Sequence, residues 1–565
     1  MLTKRHGSSR APRAPLSGRV LAGLTAIALT VALAAVLTVA PGTGGMVYGT
    51  TGTVLAEAKA RPQDGGALKI AMPYTVGTLD PLHFMADADF HVITQIYEPL
   101  VLFNEEGNPI PRLATSWRNP DPNTWVFHLR KGARWQAGNE VFPKRTKAEV
   151  TAADVVTTLN LVLNPDNKAT FYSKLARVIK SVEAVDKRTV KVVTQAPYAF
   201  LLEDLGHIPI VSKQVVERVG AGQLGRYPIG SGPFKLLESR PDNQITLSRN
   251  DDYYLKPRLA RVIFQIIPDK SVAAMALESG DVDVVTQLPP LEIPRISADK
   301  RFTVMAPASG SYRYIAFNQR KAPFDDLKIR EAIAMAVDIK SALKAIFPAE
   351  SLAQPAWGPV PPGIPGYDPG LQKMWTYNPE KARELLAAQG WVDADKDGIL
   401  EKDGRKFSFV LQAPNDANRS KLAVIVADQL KAVGLDVKVK TEEWGMHLQD
   451  LAAGQADMFV MGGGSTPDGL LYLFHSGLVS RDHNTGFRNA EVDQLLDKAK
   501  ATTDAAARKK LWQEAQRLIV ENRVHLPGYY EFVNAGVAKY VHDFKPANYT
   551  LLLVAPDRNV WVEKR

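Results

Sequence analysis

The stretch Ala114–Trp135, which reads ATSWRNPDPNTWVFHLRKGARW, is the segment from which the fold of this chain can be worked out. Trp125, Phe127 and Leu129 alternate with the residues between them, which is the period of a strand with one buried face. The preceding residues 119–123 read NPDPN, a composition typical of turns. The stretch therefore predicts a β-hairpin with aromatic packing on one face, and it contains no catalytic motif.

Length and composition are those of a globular protein with more than one domain. The chain has 565 residues, of which 45% are hydrophobic and 23% are charged. It contains no cysteine, which rules out disulfides, thiolate metal sites and a cysteine nucleophile.

The first 60 residues differ in kind from the rest. Basic residues between Lys4 and Arg19 precede an uncharged run from Val20 to Ala40, the pattern of a secretory signal. The run is also long enough to span a bilayer. Residues 1–60 are thus expected to be either a cleaved export signal with its linker or a retained N-terminal membrane anchor. In both cases the globular part is expected outside the cytoplasm, in the periplasm or at the outer face of the membrane.

The positive charge of the chain comes largely from this leader. The formal net charge is +9, but residues 1–60 hold six Lys or Arg and one acidic residue. The remaining residues carry 63 basic and 59 acidic side chains. Such a balance is not a nucleic-acid footprint, and no nucleic-acid partner is predicted.

Strands and helices mix along the chain without strict alternation. Strands are predicted at 66–71, 181–194, 244–249, 261–267, 282–286, 312–318, 407–412 and 435–440. Helices are predicted at about 151–163, 270–280, 325–345, 378–390, 419–433, 491–501 and 504–521. The first of these helices opens with a capping box at Thr151–Asp154. The pattern predicts an α/β protein built as two lobes.

An ordered series of short motifs accompanies the hairpin. It comprises Leu79-Asp80-Pro81, Ile96–Phe103, Ile229–Phe234 (IGSGPF), Leu277–Val284 (LESGDVDV), Phe317-Asn318 through Ile333, Tyr377-Asn378-Pro379 and Glu443-Trp444. With the hairpin, the series resembles the extracytoplasmic solute-binding proteins of ABC importers, in the peptide, oligopeptide and nickel class (solute-binding protein family 5). The resemblance runs from about residue 66 to 560. Each motif is weak by itself, and their order makes the set specific.

The resemblance implies a two-lobed, periplasmic-binding-protein-like α/β fold of type II, in its large form with an extra subdomain, a hinge and a central ligand cleft. The first lobe is expected at 61–308 and 522–565, with the extra subdomain at about 100–225, and the second lobe at 309–521. The function implied is capture of oligopeptides or dipeptides by lobe closure and delivery to the permease subunits of an ABC transporter. No bond is made or broken, so no enzyme activity is predicted, and the protein is expected to act as a monomer.

The strongest candidate ligand residues lie near two loops. Trp444 matches a family tryptophan that precedes a helix at the cleft, and packing in the core is the alternative. Asp468 ends the sequence Gly462–Asp468 (GGGSTPD), in the loop that holds the ligand's amino group in peptide binders. Gly464 and Ser465 are candidates because glycines let a ligand approach backbone amides. A helix N-cap is the alternative for Asp468. The tryptophan and aspartate usually found just upstream are replaced by glycines, which keeps an oligosaccharide open as the ligand.

Three further residues are candidates from their positions. Arg419 lies where some peptide binders place an arginine for the ligand carboxylate, and a solvated arginine at a helix start is the alternative. Tyr312 and Tyr314 lie near the predicted lobe crossing, where pocket aromatics occur. Packing in the core or at the hinge is the alternative for both tyrosines.

No cofactor and no metal is predicted. Asp393–Gly398 has the D-x-D-x-D-G start of a calcium loop, but position 12 is Gly404 rather than glutamate. A surface turn is the simpler interpretation, with calcium left open. A nickel site would need His447 or His475, the histidines nearest the cleft segments, and both are more simply explained as exposed histidines at helix ends.

Enzyme motifs are missing from the sequence. There is no H-E-x-x-H and no G-x-S-x-G. The G-x-G-x-x-G at Gly220–Gly225 follows a helical stretch and precedes Pro228, which is the wrong context for a dinucleotide site. A secreted hydrolase is a remote alternative, and turnover of a captured ligand would distinguish it from a binding protein.

Overall fold

The computed structural model describes residues 61–563 apart from 85, 105–106, 145, 241, 308–309, 464–468, 479–484 and 547–550. The predicted signal or anchor at 1–60 lies outside this range. None of the helices in the described ranges combines the length and the apolar character needed to cross a bilayer.

The first sheet is built mainly from the first half of the chain. In spatial order its seven strands are Phe302–Met305, Ala535–Ala538, Val284–Val285, Ala67–Met72, Arg261–Ile266, Gln244–Arg249 and Phe234–Arg240. Ala67–Met72 lies parallel to both Arg261–Ile266 and Val284–Val285, so the carboxyl ends of these strands meet at one edge. The strand Ala535–Ala538 joins this sheet from the end of the chain.

The second sheet has six strands from the second half of the chain. Their spatial order is Ala353–Ala356, His525–Glu531, Ser311–Phe317, Met458–Gly463, Ser408–Pro414 and Asp436–Glu442. The sequence-predicted strands at 312–318, 407–412 and 435–440 all belong to it, displaced by one or two residues.

The hairpin belongs to a third sheet of four strands. Their spatial order is Ala114–Asp121, Thr124–Leu129, Thr189–Thr194 and Ile179–Asp186. Trp125, Phe127 and Leu129 are buried, as the alternation predicts. The predicted turn at 119–123 is too long, because the first strand extends to Asp121. Since that strand lies at the edge of the sheet, Pro120 removes no hydrogen bond from the interior of the ladder.

Helices cover the sheets. The α-helices are Asp87–Ile96, Ala152–Leu163, Tyr172–Leu175, Leu201–Gly206, Lys213–Val219, Lys270–Ser279, Ile293–Ala298, Leu327–Met335, Ile339–Ile346, Pro379–Ala388, Ala417–Lys431, Trp444–Ala453, Gly469–Phe474, Ala490–Ala501 and Ala505–Glu521. Short strand pairs are Val101–Phe103 with Pro109–Pro111, Glu401–Lys402 with Arg405–Lys406, Val541–His542 with Trp561–Val562, and Val554–Ala555 with Arg558–Asn559. The helix at 152–163 begins as predicted, since the Asp154 carboxylate accepts the Thr151 backbone N–H at 2.7 Å.

The chain passes between the first and second sheets twice. The first passage lies between Met305 and Ser311, and the second between Glu531 and Ala535. The strand His525–Glu531 belongs to the second sheet, so the change of sheet follows residue 531. The predicted lobe limits, 61–308 with 522–565 and 309–521, stay a prediction. The α/β class, with one large sheet in each lobe, is the one expected from the sequence.

A buried polar network joins distant parts of the first lobe. The carboxylate of Glu98 is fully buried and accepts the hydroxyls of Tyr253 at 2.8 Å, Tyr254 at 2.7 Å and Ser231 at 3.1 Å. Arg112 lies 3.8 Å from the same carboxylate and donates to the carbonyl oxygen of Val554 at 3.0 Å. The network therefore ties the segment after the first helix to the turn before the Phe234 strand and to the C-terminal segment.

Candidate ligand-binding site

The carboxyl ends of three strands in the second sheet meet at one edge. Ser408–Pro414 is parallel to Asp436–Glu442 on one side and to Met458–Gly463 on the other. In open α/β sheets, ligands bind at this edge because the loops there can reach a common crevice. The loops after these strands lead to Arg419, Trp444 and the segment 464–468.

Arg419 is held in place by its own loop. Asp416 caps the helix Ala417–Lys431 by accepting the backbone N–H of Arg419 at 2.9 Å, and it also lies 3.3 Å from Nε of the guanidinium. The Arg419 side chain is 17% exposed. It is therefore an oriented, largely desolvated guanidinium rather than a freely solvated one.

Trp444 lies beside this arginine at the start of the next helix. Glu443 caps the helix Trp444–Ala453 through the backbone N–H of Gly445, at 2.7 Å. Trp444 is 43% exposed, and its ring centroid lies 5.2 Å from the guanidinium carbon of Arg419. That distance allows a cation–π contact. The structure thus brings two sequence candidates together at the carboxyl edge, with the indole partly in solvent rather than in the core.

Tyr312 and Tyr314 lie on the buried side of their strand. Tyr312 is 3% exposed and its hydroxyl lies 3.0 Å from Nδ1 of His525. The Tyr314 ring stacks on the same histidine with centroids 3.9 Å apart. The two rings pack in the core behind the carboxyl edge, which favours the packing alternative for both tyrosines.

The residue between the two tyrosines points to the opposite face and was not among the sequence candidates. Arg313 donates from Nε to Glu531 at 3.1 Å, and Asn418 donates to the other oxygen of Glu531, also at 3.1 Å. Burial raises the pKa of Asp416, but hydrogen bonds from Arg419 and the charges of Arg419 and Arg313 outweigh it and hold that pKa below its usual value. The period-two pattern of the strand was the signal that would have found Arg313.

A cavity of about 350 Å³ lies where the chain passes between the sheets. Tyr74 and Thr286 line it just after first-sheet strands, and Ser311 and Glu531 line it from the ends of second-sheet strands. Its volume is at the lower end of the range of about 300–1,000 Å³ found for ligand pockets. Glu531 lines this cavity and also accepts the hydrogen bonds from Arg313 and Asn418.

His91 also lines this cavity. Burial lowers its pKa, although the charge of Asp87 opposes the shift. Nδ1 of His91 accepts the backbone N–H of Leu551 at 3.4 Å, which requires that nitrogen to be unprotonated. At neutral pH His91 therefore adds no charge to this wall of the cavity.

Gly464, Ser465 and Asp468 lie outside the described residues. Their candidacy rests on the sequence alone.

The histidines considered for nickel have local partners. The expectation that His447 is exposed is wrong: it is fully buried, with Nε2 3.0 Å from the carbonyl oxygen of Val460 and Nδ1 3.3 Å from Glu442. His475 lies 3.4 Å from Asp497. Both arrangements suit histidines that stabilise local structure.

The acidic loop folds into a turn on the surface. Potential ligand atoms of Asp393, Asp395, Asp397 and Glu401 lie within 4.8 Å of one another. Glu401 is ninth in the loop, a position that the sequence reasoning did not consider. The ammonium group of Lys406 pairs with Asp397 and lies 3.6 Å from Asp395, so a cation already balances part of this charge.

Two large sheets joined by two passages of the chain, with candidate ligand residues at the carboxyl edge of the second sheet, define a class of proteins, the two-lobed α/β binding proteins. The family model of the bacterial extracellular solute-binding proteins, family 5 (Middle), matches residues 108–481. The chain belongs to this family.

Relatives match along most of the chain. The oligopeptide-binding protein AppA of Bacillus subtilis (strain 168) is 30% identical over 488 residues, which cover 83% of this chain and 87% of AppA. The dipeptide-binding protein of Escherichia coli (strain K12) is 30% identical over 435 residues, covering 72% and 78% of the two chains.

Solved structures agree on the fold. HbpA2 from Haemophilus parasuis superposes with a TM-score of 0.78 at 23% identity, over 88% of this chain and all of that one. DppA from Helicobacter pylori in complex with the peptide STSA gives a TM-score of 0.64 at 27% identity, over 89% and 99% of the two chains. The predicted family and the two-lobed fold class are confirmed.

Proposed function

We propose that this chain is the extracytoplasmic substrate-binding component of an ABC importer, which captures oligopeptides or dipeptides by lobe closure and delivers them to a membrane permease. The proposal is supported by relatives named for oligopeptides and dipeptides that cover most of the chain. It is further supported by a similar binding protein, described as ABC transporter-associated, in complex with a peptide. In this proposal the protein acts outside the cytoplasm as a monomer and catalyses no reaction.

The arrangement of Arg419 and Trp444 carries the proposal. A peptide offers a terminal carboxylate, which a guanidinium can bind through two parallel hydrogen bonds. Asp416 already orients that guanidinium, so less side-chain entropy is lost when the ligand binds. The exposed face of Trp444 offers adaptable packing to the adjoining part of the ligand, independent of its sequence.

Other candidates have supporting roles in the proposal. Asp468 binds the ligand's amino group, while Gly464 and Ser465 offer backbone groups, as their place in the sequence suggests. Tyr312 and Tyr314 support the site from behind through their packing in the core.

Closure is the step that would couple binding to transport. Ligand binding drives closure only by as much as the ligand prefers the closed state over the open one. We propose the two passages, after Met305 and after Glu531, as the hinge because they join the two large sheets. The cavity beside Glu531 lies at this hinge, where a change in lobe angle would alter its volume.

The first experiment identifies what the purified protein carries. Small molecules released by denaturation are analysed by mass spectrometry, and each candidate is then tested for an increase in the melting temperature. A ladder of peptides that stabilise the protein supports the proposal. A released sugar, or stabilisation by oligosaccharides alone, would overturn peptide capture.

A second experiment tests the site itself. Arg419→Gln is expected to raise the Kd for a bound peptide by at least about 30-fold, which corresponds to about 2 kcal/mol. Arg240→Gln is the matched control, because Arg240 is 69% exposed and pairs with Glu238 on the surface. Equal affinities of wild type and Arg419→Gln would show that the ligand binds elsewhere.

A further inference from the structure

We propose that Arg313 is a specificity-determining residue, a second guanidinium at the ligand site that selects ligands carrying an additional acidic group. The inference rests on the proposed function and adds a substrate class to it: peptides with an acidic side chain. Its basis is the space beside Gly462, the ion pair of Arg313 with Glu531 and the hydrogen-bond donors near Arg313.

The strand pattern puts Arg313 on the face of the site. Tyr312 and Tyr314 on either side are buried in the core, and side chains alternate along a strand. The Arg313 side chain is 23% exposed and contacts Glu531, which also lines the hinge cavity. Arg313 therefore contacts the carboxylate that joins Asn418, next to Arg419, to the wall of that cavity.

A glycine on the neighbouring strand makes room for this side chain. Gly462 is the direct partner of Arg313 across the ladder. A Cβ atom at position 462 would lie 2.7 Å from Nη1 of Arg313 and 3.2 Å from its Cδ. Gly462 is not among the residues with positive φ, so its backbone does not require glycine. The guanidinium of Arg313 thus occupies the space beside Gly462, and a side chain at position 462 would require that guanidinium to shift.

Glu531 orients Arg313, and this hydrogen bond does not use all the N–H donors of the guanidinium. A guanidinium has five N–H groups, and the hydrogen bond to Glu531 uses the one on Nε. Asn418 donates to the second oxygen of Glu531, which fixes the carboxylate. In the described ranges of the chain, Glu531 is the one ion-pair partner of Arg313.

A buried hydroxyl adds a further donor beside this cluster. Tyr529 is fully buried, and within the described residues its hydroxyl has no hydrogen-bond partner. Burial and the charge of Glu531 raise its pKa, while Arg313 and Arg419 oppose that shift, so the hydroxyl lies within electrostatic reach of all three. The Tyr529 hydroxyl and the N–H groups of Arg313 other than the one on Nε are thus donors for a ligand carboxylate, which supplies acceptors only.

The test compares peptides that differ in one charge. Kd is measured by calorimetry for three tripeptides of alanine with glutamate at the first, second or third position, and for the three with glutamine instead. Wild type is expected to prefer glutamate over glutamine by at least about 10-fold at one position. Arg313→Gln is expected to reduce this ratio below about 2 and to leave the affinity for the glutamine peptides within about 3-fold.

Gly462→Ala provides an independent variant. Its methyl group displaces the guanidinium, so it is expected to lower the same ratio while Arg313 is still present. Combined with Arg313→Gln it should lower the ratio no further. Arg240→Gln is the matched control, and melting curves confirm that each variant is folded.

Two results would overturn the role of Arg313. One is a wild-type ratio near 1 at every position. The other is an equal loss of affinity for glutamate and glutamine peptides in Arg313→Gln, which would assign Arg313 to structure alone.

The two proposals can fail separately. Peptide capture is decided by the released ligands, and if wild type binds none of the six tripeptides, the ratio is measured with glutarate against neutral glutaramide. A glutarate preference that Arg313→Gln removes would uphold the acidic-group inference, and no preference would overturn it.

Discussion

Replacing Glu98 by alanine should destabilise the first lobe more than any surface substitution. The carboxylate is fully buried, accepts three hydroxyls and lies 3.8 Å from the guanidinium of Arg112. Glu98→Ala removes the acceptor from Ser231, Tyr253 and Tyr254 and leaves Arg112 as a buried charge without its counterion.

The magnitude follows from the loss of that counterion. Removing one partner of a buried ion pair costs about 3–5 kcal/mol, and each unsatisfied donor adds to it in a non-additive way. We expect Glu98→Ala to lower the free energy of unfolding by about 4 kcal/mol, a large part of the roughly 5–15 kcal/mol by which native proteins are stable.

The assay is urea unfolding followed by circular dichroism and tryptophan fluorescence. Glu217→Gln is the control, because Glu217 is 61% exposed and lies 3.6 Å from Lys213, and it should cost less than about 1 kcal/mol. The double variant Glu98→Ala with Arg112→Met should cost at least about 1 kcal/mol less than the sum of the two single variants, because it leaves no buried charge unpaired.

A loss of less than about 1 kcal/mol in Glu98→Ala would refute this reasoning. So would strict additivity in the double variant. Either result would mean that the network contributes little beyond packing.

Three further predictions concern the site, the cavity and the acidic loop. Trp444→Ala should weaken peptide binding about 10-fold or more and shift the melting temperature little, because the indole is 43% exposed; a large fall in melting temperature with unchanged affinity would contradict this. Because burial lowers the pKa of His91, the unfolded chain binds a proton that the folded protein does not, so stability is expected to fall as pH drops below about 6.5. His91→Gln should reduce the slope of the unfolding free energy against pH between pH 7 and 5 by up to about 1.4 kcal/mol per pH unit. An unchanged slope would be evidence against this role of His91. Calcium at millimolar concentration should not raise the melting temperature by binding to the loop 393–401, since Lys406 already pairs with the aspartates of that loop. Calcium binding that is detected by calorimetry and abolished by Asp397→Asn would contradict this.

The sequence was most informative where periodicity alone decides the outcome. Alternation in Trp125, Phe127 and Leu129 predicted which face of the hairpin is buried, and the capping box at Thr151 predicted the start of a helix. Boundaries were less accurate, as at Asp121, where an edge strand tolerates a proline that turn chemistry places in a loop.

The candidate site was predicted only in part. Arg419 and Trp444 were found from their positions in the family pattern, and the structure places them within reach of each other. Arg313 was not predicted, because the candidates on its strand, Tyr312 and Tyr314, lie on the opposite face. Glu531 was missed because it is distant from Arg313 in sequence and adjacent only through strand pairing.

The sequence by itself determined the family and the α/β class, and it predicted Arg419 and Trp444 as candidate ligand residues, because ordered motifs and side-chain periodicity are local properties of the chain. Tertiary structure alone decided which charges meet at the carboxyl edge and which strands adjoin the two passages between the sheets. It also placed the guanidinium of Arg313 against Gly462, where a Cβ atom would lie 2.7 Å from Nη1. These facts depend on strands far apart in sequence lying side by side, and no local pattern encodes the distance between their side chains.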